Sequence, residues 1–351
     1  MQENSLKKII VEMDHNNQKL LNDIQNILSE HLKILEHVID LKHAPISTLN
    51  QLIEILVRHQ NRYEISPDLF RDAMKHFYEK STGYSLDLEN PRTFNEKIQW
   101  AKLYESTPEK TLLSDKYLVR KYLEERIDKK YMIPLLAVYD KPEDIDFDSL
   151  PNKFVIKTNH ASQQVIVVRD KNAIDKAKII ERCKLFLRIN YAFMCGFEFH
   201  YMNIKPKILI EQYLEDASKG LMDYKIFCFN GKPSFLWVDQ DRFTEHKRTL
   251  FDLSFNPVQY KINTNYQCIQ NIEKPKNYEI MIQMTRELCR DFNHVRVDWY
   301  NTEDNLYFGE FTFTSSSGTE DFWPKEFEDY VSNLYQLPKY KYNVFTGQYF
   351  A

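Results

Sequence analysis

A chain of 351 residues has room for two or three domains, and 43% hydrophobic with 14% aromatic content argues for a folded globular body. A net charge of −4 excludes the basic excess that general nucleic-acid binding requires, and seven glycines leave little material for Gly-rich phosphate loops. Five widely spaced cysteines (Cys183, Cys195, Cys228, Cys268 and Cys289) without a C-x-x-C predict reduced thiols in the cytoplasm, not a disulfide framework or zinc site.

The N-terminus MQENSLKKII lacks the apolar core of a signal peptide, and no apolar run approaches the roughly 18 residues of a membrane helix. A cytoplasmic protein is expected, with peripheral membrane association left open. Ile10, Met13, Asn17, Leu20, Ile24, Ile27, His31, Ile34, Val38 and Leu41 alternate three- and four-residue spacings, the seam of a coiled coil. The seam favours self-association over a helical hairpin packed on its own domain. Ala44-Pro45 ends it, and Ser47 can cap a second helix, TLNQLIEILVRHQ.

Three further helices follow: PDLFRDAMKHFYEK, TFNEKIQWAKLYE with capping-box spacing between Thr93 and Glu96, and SDKYLVRKYLEERI. After Tyr131 the texture changes to short β-rich runs: MIPLLAVY, KFVIKT, QVIVVRD, KILIEQYL, DYKIFCF, PSFLWVD, VRVDWY and LYFGEFTF. Two helical stretches, 175–190 and 277–292, interrupt them. An α+β fold with largely antiparallel pairing is predicted, with boundaries near residues 62 and 114.

The chemistry gathers in HVRVDWYNTEDNLYFGEFTF, residues 294–313. Side chains alternate faces along a strand, so Arg296 shares a face with Asp298, and Glu310 with Thr312. Pairing through the Asn301–Asn305 turn would bring these four together. Two carboxylates on one surface repel unless a cation sits between them, and oxygen ligands suit Mg²⁺. A solvated surface hairpin is the equally weighted bland alternative. Lys157 ends the apolar strand KFVIKT, where a compact positive charge can reach a phosphate, and Lys225 repeats the device in DYKIFCFNGKP. KILIEQYLED ends an apolar strand in Glu211, Gln212, Tyr213, Leu214 and Glu215, a strand-to-linker that can face an adenine.

The order of these segments, from PRTFNEKIQWAKLYE through SDKY, IPLLAVYD, DFDSLPNKFVIKTNH, ILIEQYLED, DYKIFCFNGKP and VDQDRF to VRVDWY and FGEFTF, resembles the ATP-grasp enzymes of the teichuronopeptide-biosynthesis (TupA-like) type. The resemblance runs over roughly residues 66–325. It implies an ATP-grasp fold of two α+β subdomains clasping a nucleotide over 115–345, preceded by a helical pre-domain over 63–114; the helical, coiled-coil-like segment over 1–62 lies outside the resemblance. It implies that Lys116, which with Asp115 opens the first helix of the grasp fold, and Lys157 and Lys225 serve ATP. It also implies that Glu211 to Leu214 form an adenine hinge, and that Glu215 approaches the ribose. Asp298 and Glu310 would bind Mg²⁺, with Thr312 where many relatives carry a metal-binding Asn. Arg296 would hold phosphate or acyl-phosphate oxygens, and Arg242 would contact an anion. The loop NHASQQ has no glycine, so His160, Ser162 or Gln163 would contribute side-chain contacts instead, and TSSSG stands where others have Pro-Gly.

The implied reaction is ATP-dependent condensation of a carboxylate with an amine through an acyl phosphate. The implied substrates are a uronic-acid carboxyl of a capsular or other surface glycan, or its precursor, and an amino acid or small amine. Two other classes compete. Asp239 and Asp241 in VDQDRF form the Asp-x-Asp of a metal-dependent glycosyltransferase, and the missing glycines suit a non-catalytic nucleotide-binding scaffold. Trp100, Trp237, Trp299 and Trp323 read as packing residues in preference to sugar platforms.

Overall fold

The computed structural model describes residues 67–194, 196–214, 221–240, 246–262, 266–269, 272–302 and 305–350. The seam from Ile10 to Leu41 and the helix after Ser47 lie outside these residues. Seven helices are described: α1 (Pro67–Thr82), α2 (Phe94–Tyr104), α3 (Pro108–Ser114), α4 (Val119–Glu124), α5 (Lys176–Arg188), α6 (Tyr278–Cys289) and α7 (Lys325–Leu334). The strands begin with β1 (Leu135–Tyr139), β2 (Phe154–Thr158), β3 (Val165–Val168) and β4 (Ile208–Gln212). Next come β5 (Met222–Phe229), β6 (Lys232–Gln240), β7 (Lys247–Asp252), β8 (Lys261–Ile262), β9 (His294–Asn301) and β10 (Leu306–Thr312). The last three are β11 (Phe322–Trp323), β12 (Lys341–Asn343) and β13 (Gln348–Phe350).

Two antiparallel sheets carry the site. The first has the order β1-β4-β2-β3 and the second β10-β9-β5-β6-β7. In the first, Phe154, Ile156, Ile208 and Ile210 point into a core with Ile179 and Cys183 of α5. By strand alternation Val155, Lys157, Leu209 and Glu211 share the opposite face. In the second, Ile226, Leu236, Val295, Val297 and Phe311 pack against Met281, Ile282 and Leu288 of α6. Its other face carries Phe227, Phe229, Phe235 and Trp237, which share a core with Phe70 and Met74 of α1 and Phe94 and Ile98 of α2. Each such side chain removed from water contributes roughly 1.5–3 kcal/mol. The helices before residue 114 therefore share their core with the sheet.

Thr93 and Glu96 form the expected capping box of α2. The long helix expected over SDKYLVRKYLEERI is reduced to α4, because Asp115 diverts the backbone. Its carboxylate accepts the amides of Tyr117 at 2.8 Å and Leu118 at 3.2 Å, a local alternative to helical bonding. The resulting bend holds Lys116 between two short helices. Strand β7 was hidden by its charged first half, and α7 by a sparse apolar face of Phe327 and Val331. Trp100, Trp237 and Trp299 are buried as expected. Trp323 is not: it lies 52% exposed on the short β11. Among the described residues no helix is long and apolar enough to cross a membrane.

Candidate active site

The β9–β10 hairpin pairs Glu310 with Asp298 and Thr312 with Arg296, with a bulge between Phe308 and Glu310. Lys225 lies opposite Asp298 on the neighbouring strand β5. The expected face is therefore assembled. Arg296 donates from Nε to Asp298 Oδ1 and from Nη2 to Oδ2, both at 2.7 Å, and Lys225 Nζ donates to Oδ2 at 2.6 Å. Lys225 also meets Asp223 at 2.7 Å. Arg296 reaches Ser315 Oγ at 2.9 Å and Thr312 Oγ1 at 3.0 Å. Thr312 thus serves as an acceptor for the arginine.

Burial of Asp298 favours its neutral form, but Arg296 and Lys225 outweigh it and hold the carboxyl at about 2. Burial likewise opposes the Arg296 charge, yet Asp298, Glu310 and Asp223 hold its pKa above the usual range. Glu310 is half-exposed. Desolvation there raises its pKa, as does Asp298, but Lys116, Lys225 and Arg296 bring it below the ordinary value. Both carboxylates are ionised at neutral pH.

The first sheet supplies the facing wall. Lys157 Nζ lies 2.6 Å from Glu211, and Arg120 lies 4.0 Å from the same carboxylate. Lys116 bridges the two sheets: its Nζ donates to the Ala161 carbonyl at 2.9 Å and stands 3.4 Å from Glu310. Between these walls runs a cleft of about 410 Å³ counted out into solvent. Its lining combines apolar Leu113, Val119, Leu123, Met132 and Phe308 with charged Lys116, Arg120, Lys157, Glu211 and Glu310. Its interior has room for little more than one water, because the cations are folded onto the acids.

His160 is buried and its Nε2 meets the Ile189 carbonyl at 3.0 Å. Burial lowers its pKa, so the ring is neutral and holds the loop to the start of the next segment. Ser162 is half-buried beside exposed Gln163, which takes a left-handed φ of 63° without being glycine. Gln212 is exposed, Tyr213 and Leu214 are half-buried, and Glu215 and Arg242 lie outside the described residues. Both oxygens of Asp239 are taken by Arg248, at 2.7 and 3.1 Å, and Asp241 lies outside the described residues.

Sequence reasoning missed several neighbours. Asp223 stands two residues before Lys225 on one face, a signal the strand period offered. Arg120 stands four residues after Lys116 and Ser114 two before it, and both line the cleft. Glu198 had no local signal. It is buried, accepts from Thr314 Oγ1, and its pKa is pushed up to about 7 by burial against the opposing pull of Lys102 and Thr314. Lys102 is fully buried and donates to Gly196 O, Ser317 O, Ser317 Oγ and Gln99 Oε1 at 2.6–2.9 Å. With Gln99 it pins the loop TSSSG, in which Ser316 and Ser317 adopt left-handed φ values of 43° and 53°.

The family model described as TupA-like ATPgrasp matches residues 96–336. No curated protein matches the chain. Among solved structures, a D-alanine–D-alanine ligase from Bacillus anthracis complexed with ATP is 20% identical, covering 57% of this chain and 54% of its own, at a TM-score of 0.34. The corresponding ligase from Helicobacter pylori is 14% identical, with 68% and 61% covered and a TM-score of 0.34. The ATP-grasp ligase PsnB, complexed with a minimal precursor, Mg and ADP, is 12% identical, with 60% and 53% covered and the same TM-score. The chain spans little more than half the length of these structures.

Proposed function

Because the chain belongs to the TupA-like ATP-grasp family, we propose that it is an ATP-dependent carboxylate–amine ligase. One observation carries the reading. Asp298 and Glu310 sit opposite each other on paired strands beside Arg296 and Lys225, with Lys157 approaching from the other sheet and Lys116 from the bend between α3 and α4.

A carboxylate does not condense with an amine at neutral pH, because its oxygen is a poor leaving group. Transfer of the γ-phosphoryl group gives an acyl phosphate. The amine then attacks the acyl carbon, and the C–O bond breaks to release phosphate. Phosphoryl transfer depends on positioning and charge neutralisation, with no protein nucleophile required. Lys116, Lys157 and Lys225 supply positive charge to the phosphates, and Arg296 holds the acyl-phosphate oxygens. By the family resemblance Glu211 to Leu214 would serve the base and Ser162 the phosphates, while Glu215 and Arg242, outside the described residues, would serve the ribose and the acceptor carboxylate. His160 acts through its hold on the loop.

The residues present fit Mg²⁺. A carboxylate offers about four acceptor positions, and Arg296 and Lys225 occupy three on Asp298. One remains, and among the described residues the ion pair of Glu310 is the 3.4 Å contact to Lys116. Two carboxylates are a usual protein contribution to a magnesium site, phosphates and water completing it. Asp298 and Glu310 would hold the ion, which neutralises phosphate charge when bound.

The closed cleft defines a charge exchange. Lys157 and Lys116 leave Glu211 and Glu310 as the nucleotide enters, so one set of ion pairs replaces another. The acceptor we propose is a uronic-acid carboxyl of a surface glycan or precursor, and the donor an amino acid or small amine. Family membership is what supports this carbohydrate assignment. Residues 1–62 would add self-association through the Ile10–Leu41 seam.

The test is calorimetric titration of the full chain with Mg·ATP. Saturable binding that is lost in Asp298→Asn and Lys157→Ala supports the ligase. Absence of binding at millimolar nucleotide leaves a scaffold that does not use ATP.

A further inference from the structure

We infer that Ser114 and Arg120 are direct contacts to the nucleotide's phosphate chain, an assignment that rests on the nucleotide reading above. Two independent observations lead to it. Ser114, the last residue of α3, is 4% exposed, and its Oγ has no hydrogen-bond partner among the described residues. A buried hydroxyl left unpaired is a standing cost to the fold, so one lining a cleft marks a place where a ligand supplies the missing bond. Arg120, on α4, lines the same cleft. Among the described residues its ion pair is with Glu211 at 4.0 Å, and that carboxylate is already held by Lys157 at 2.6 Å. Its planar fork of five donors is thus left largely unused.

The bend made by Asp115 brings these groups together. Ser114 precedes it, Lys116 lies within it and Arg120 follows on the first turn of α4. A hydroxyl, an ammonium and a guanidinium from one seven-residue stretch therefore face one cavity, with Lys157 across from them. Together they offer more donors than the two oxygens of a single carboxylate can accept. A di- or triphosphate has oxygens enough, and a guanidinium matches adjacent phosphate oxygens in a two-pronged contact. Glu211 and Glu310 in the same cleft further disfavour a lone carboxylate through like-charge repulsion.

The experiment titrates the full chain and its Ser114→Ala and Arg120→Gln variants with Mg·ATP and, separately, with adenosine. Each variant is expected to weaken Mg·ATP binding about tenfold, the scale of one hydrogen bond to a charged group. Adenosine affinity and melting temperature stay at wild-type values. Wild-type affinity for Mg·ATP in both variants overturns the assignment, as does a parallel loss for adenosine, which would mean a structural role. If wild-type protein itself fails to bind Mg·ATP, the nucleotide reading falls. If it binds and the variants match it, only this assignment falls.

Discussion

Arg296 and Asp298, two residues apart on β9, grip each other through two hydrogen bonds of 2.7 Å on the face that also carries Lys225. The pair sets the electrostatics of the whole site. Asp298→Asn leaves two buried cations short of their acid, a change expected to destabilise the fold by about 3–5 kcal/mol. The carboxyl is held at about 2, below the ordinary 3.8. Its contribution is therefore fully present above pH 4 and is lost as pH falls toward 2, to the extent of roughly 2 kcal/mol. Urea unfolding of both proteins between pH 7 and pH 3 should show their difference narrowing below pH 4. A constant difference would contradict the ion-pair account.

Glu198 behaves in the opposite sense. Burial raises its pKa to about 7 from an ordinary 4.5, so the folded chain binds a proton that the unfolded chain releases. Stability from this group is present below about pH 4.5 and declines as pH rises to 7, by roughly 3 kcal/mol. Glu198→Gln should therefore match wild type near pH 5 and exceed it at pH 8 in denaturant unfolding. A variant weaker than wild type at pH 8 would mean that the charged carboxylate is the stabilising form.

Gly318 closes the TSSSG loop with φ +69°, and a Cβ there would sit 2.7 Å from Gln99 Nε2 and 2.8 Å from Ile98 Cγ2. Gly318→Ala combines left-handed strain with overpacking, an expected loss of roughly 2–4 kcal/mol. Lys102→Met removes a donor from Gly196 O, Ser317 O and Ser317 Oγ and should cost about 3 kcal/mol, although Gln99 Nε2 still reaches Ser317 O. Thermal unfolding followed by calorimetry measures both. A melting temperature within a degree of wild type for either variant would show that α2 does not hold this loop.

Glu211 competes with phosphate for Lys157, which it meets at 2.6 Å. Glu211→Gln removes the competing charge, so inorganic tripolyphosphate should bind about tenfold more tightly, a gain of roughly 1.4 kcal/mol. Tripolyphosphate has no base, which separates this effect from any contact between Glu211 and adenine. Unchanged affinity in a calorimetric titration would rule out charge exchange at this lysine.

The reactive face was legible because strands have a period of two. Alternation in VRVDWY and FGEFTF placed Arg296, Asp298, Glu310 and Thr312 together, and the structure pairs them. What alternation could not reveal was partnership across the chain. Lys102 reads as one more charge in QWAKLYE, and only the distant loop at Ser317 makes it a buried clamp. Glu198 gains its raised pKa from burial in the assembled fold, and its partner Thr314 again lies far along the chain. The long helix expected after Ser114 failed because a single Asp115 side chain captured two amides, a local competition that apolar spacing does not register. Trp323 was read by residue type alone, and type does not say that β11 turns Phe322 into the core and Trp323 out to solvent.

Product analysis addresses ligation most directly. The full chain is incubated with Mg·ATP, uronic-acid acceptors and a panel of amines, and the nucleotide and phosphate products are separated. The account predicts ADP and inorganic phosphate in equal amounts, formed only when acceptor and amine are both present. AMP with pyrophosphate, or ADP with a stable sugar phosphate and no amide, would contradict it.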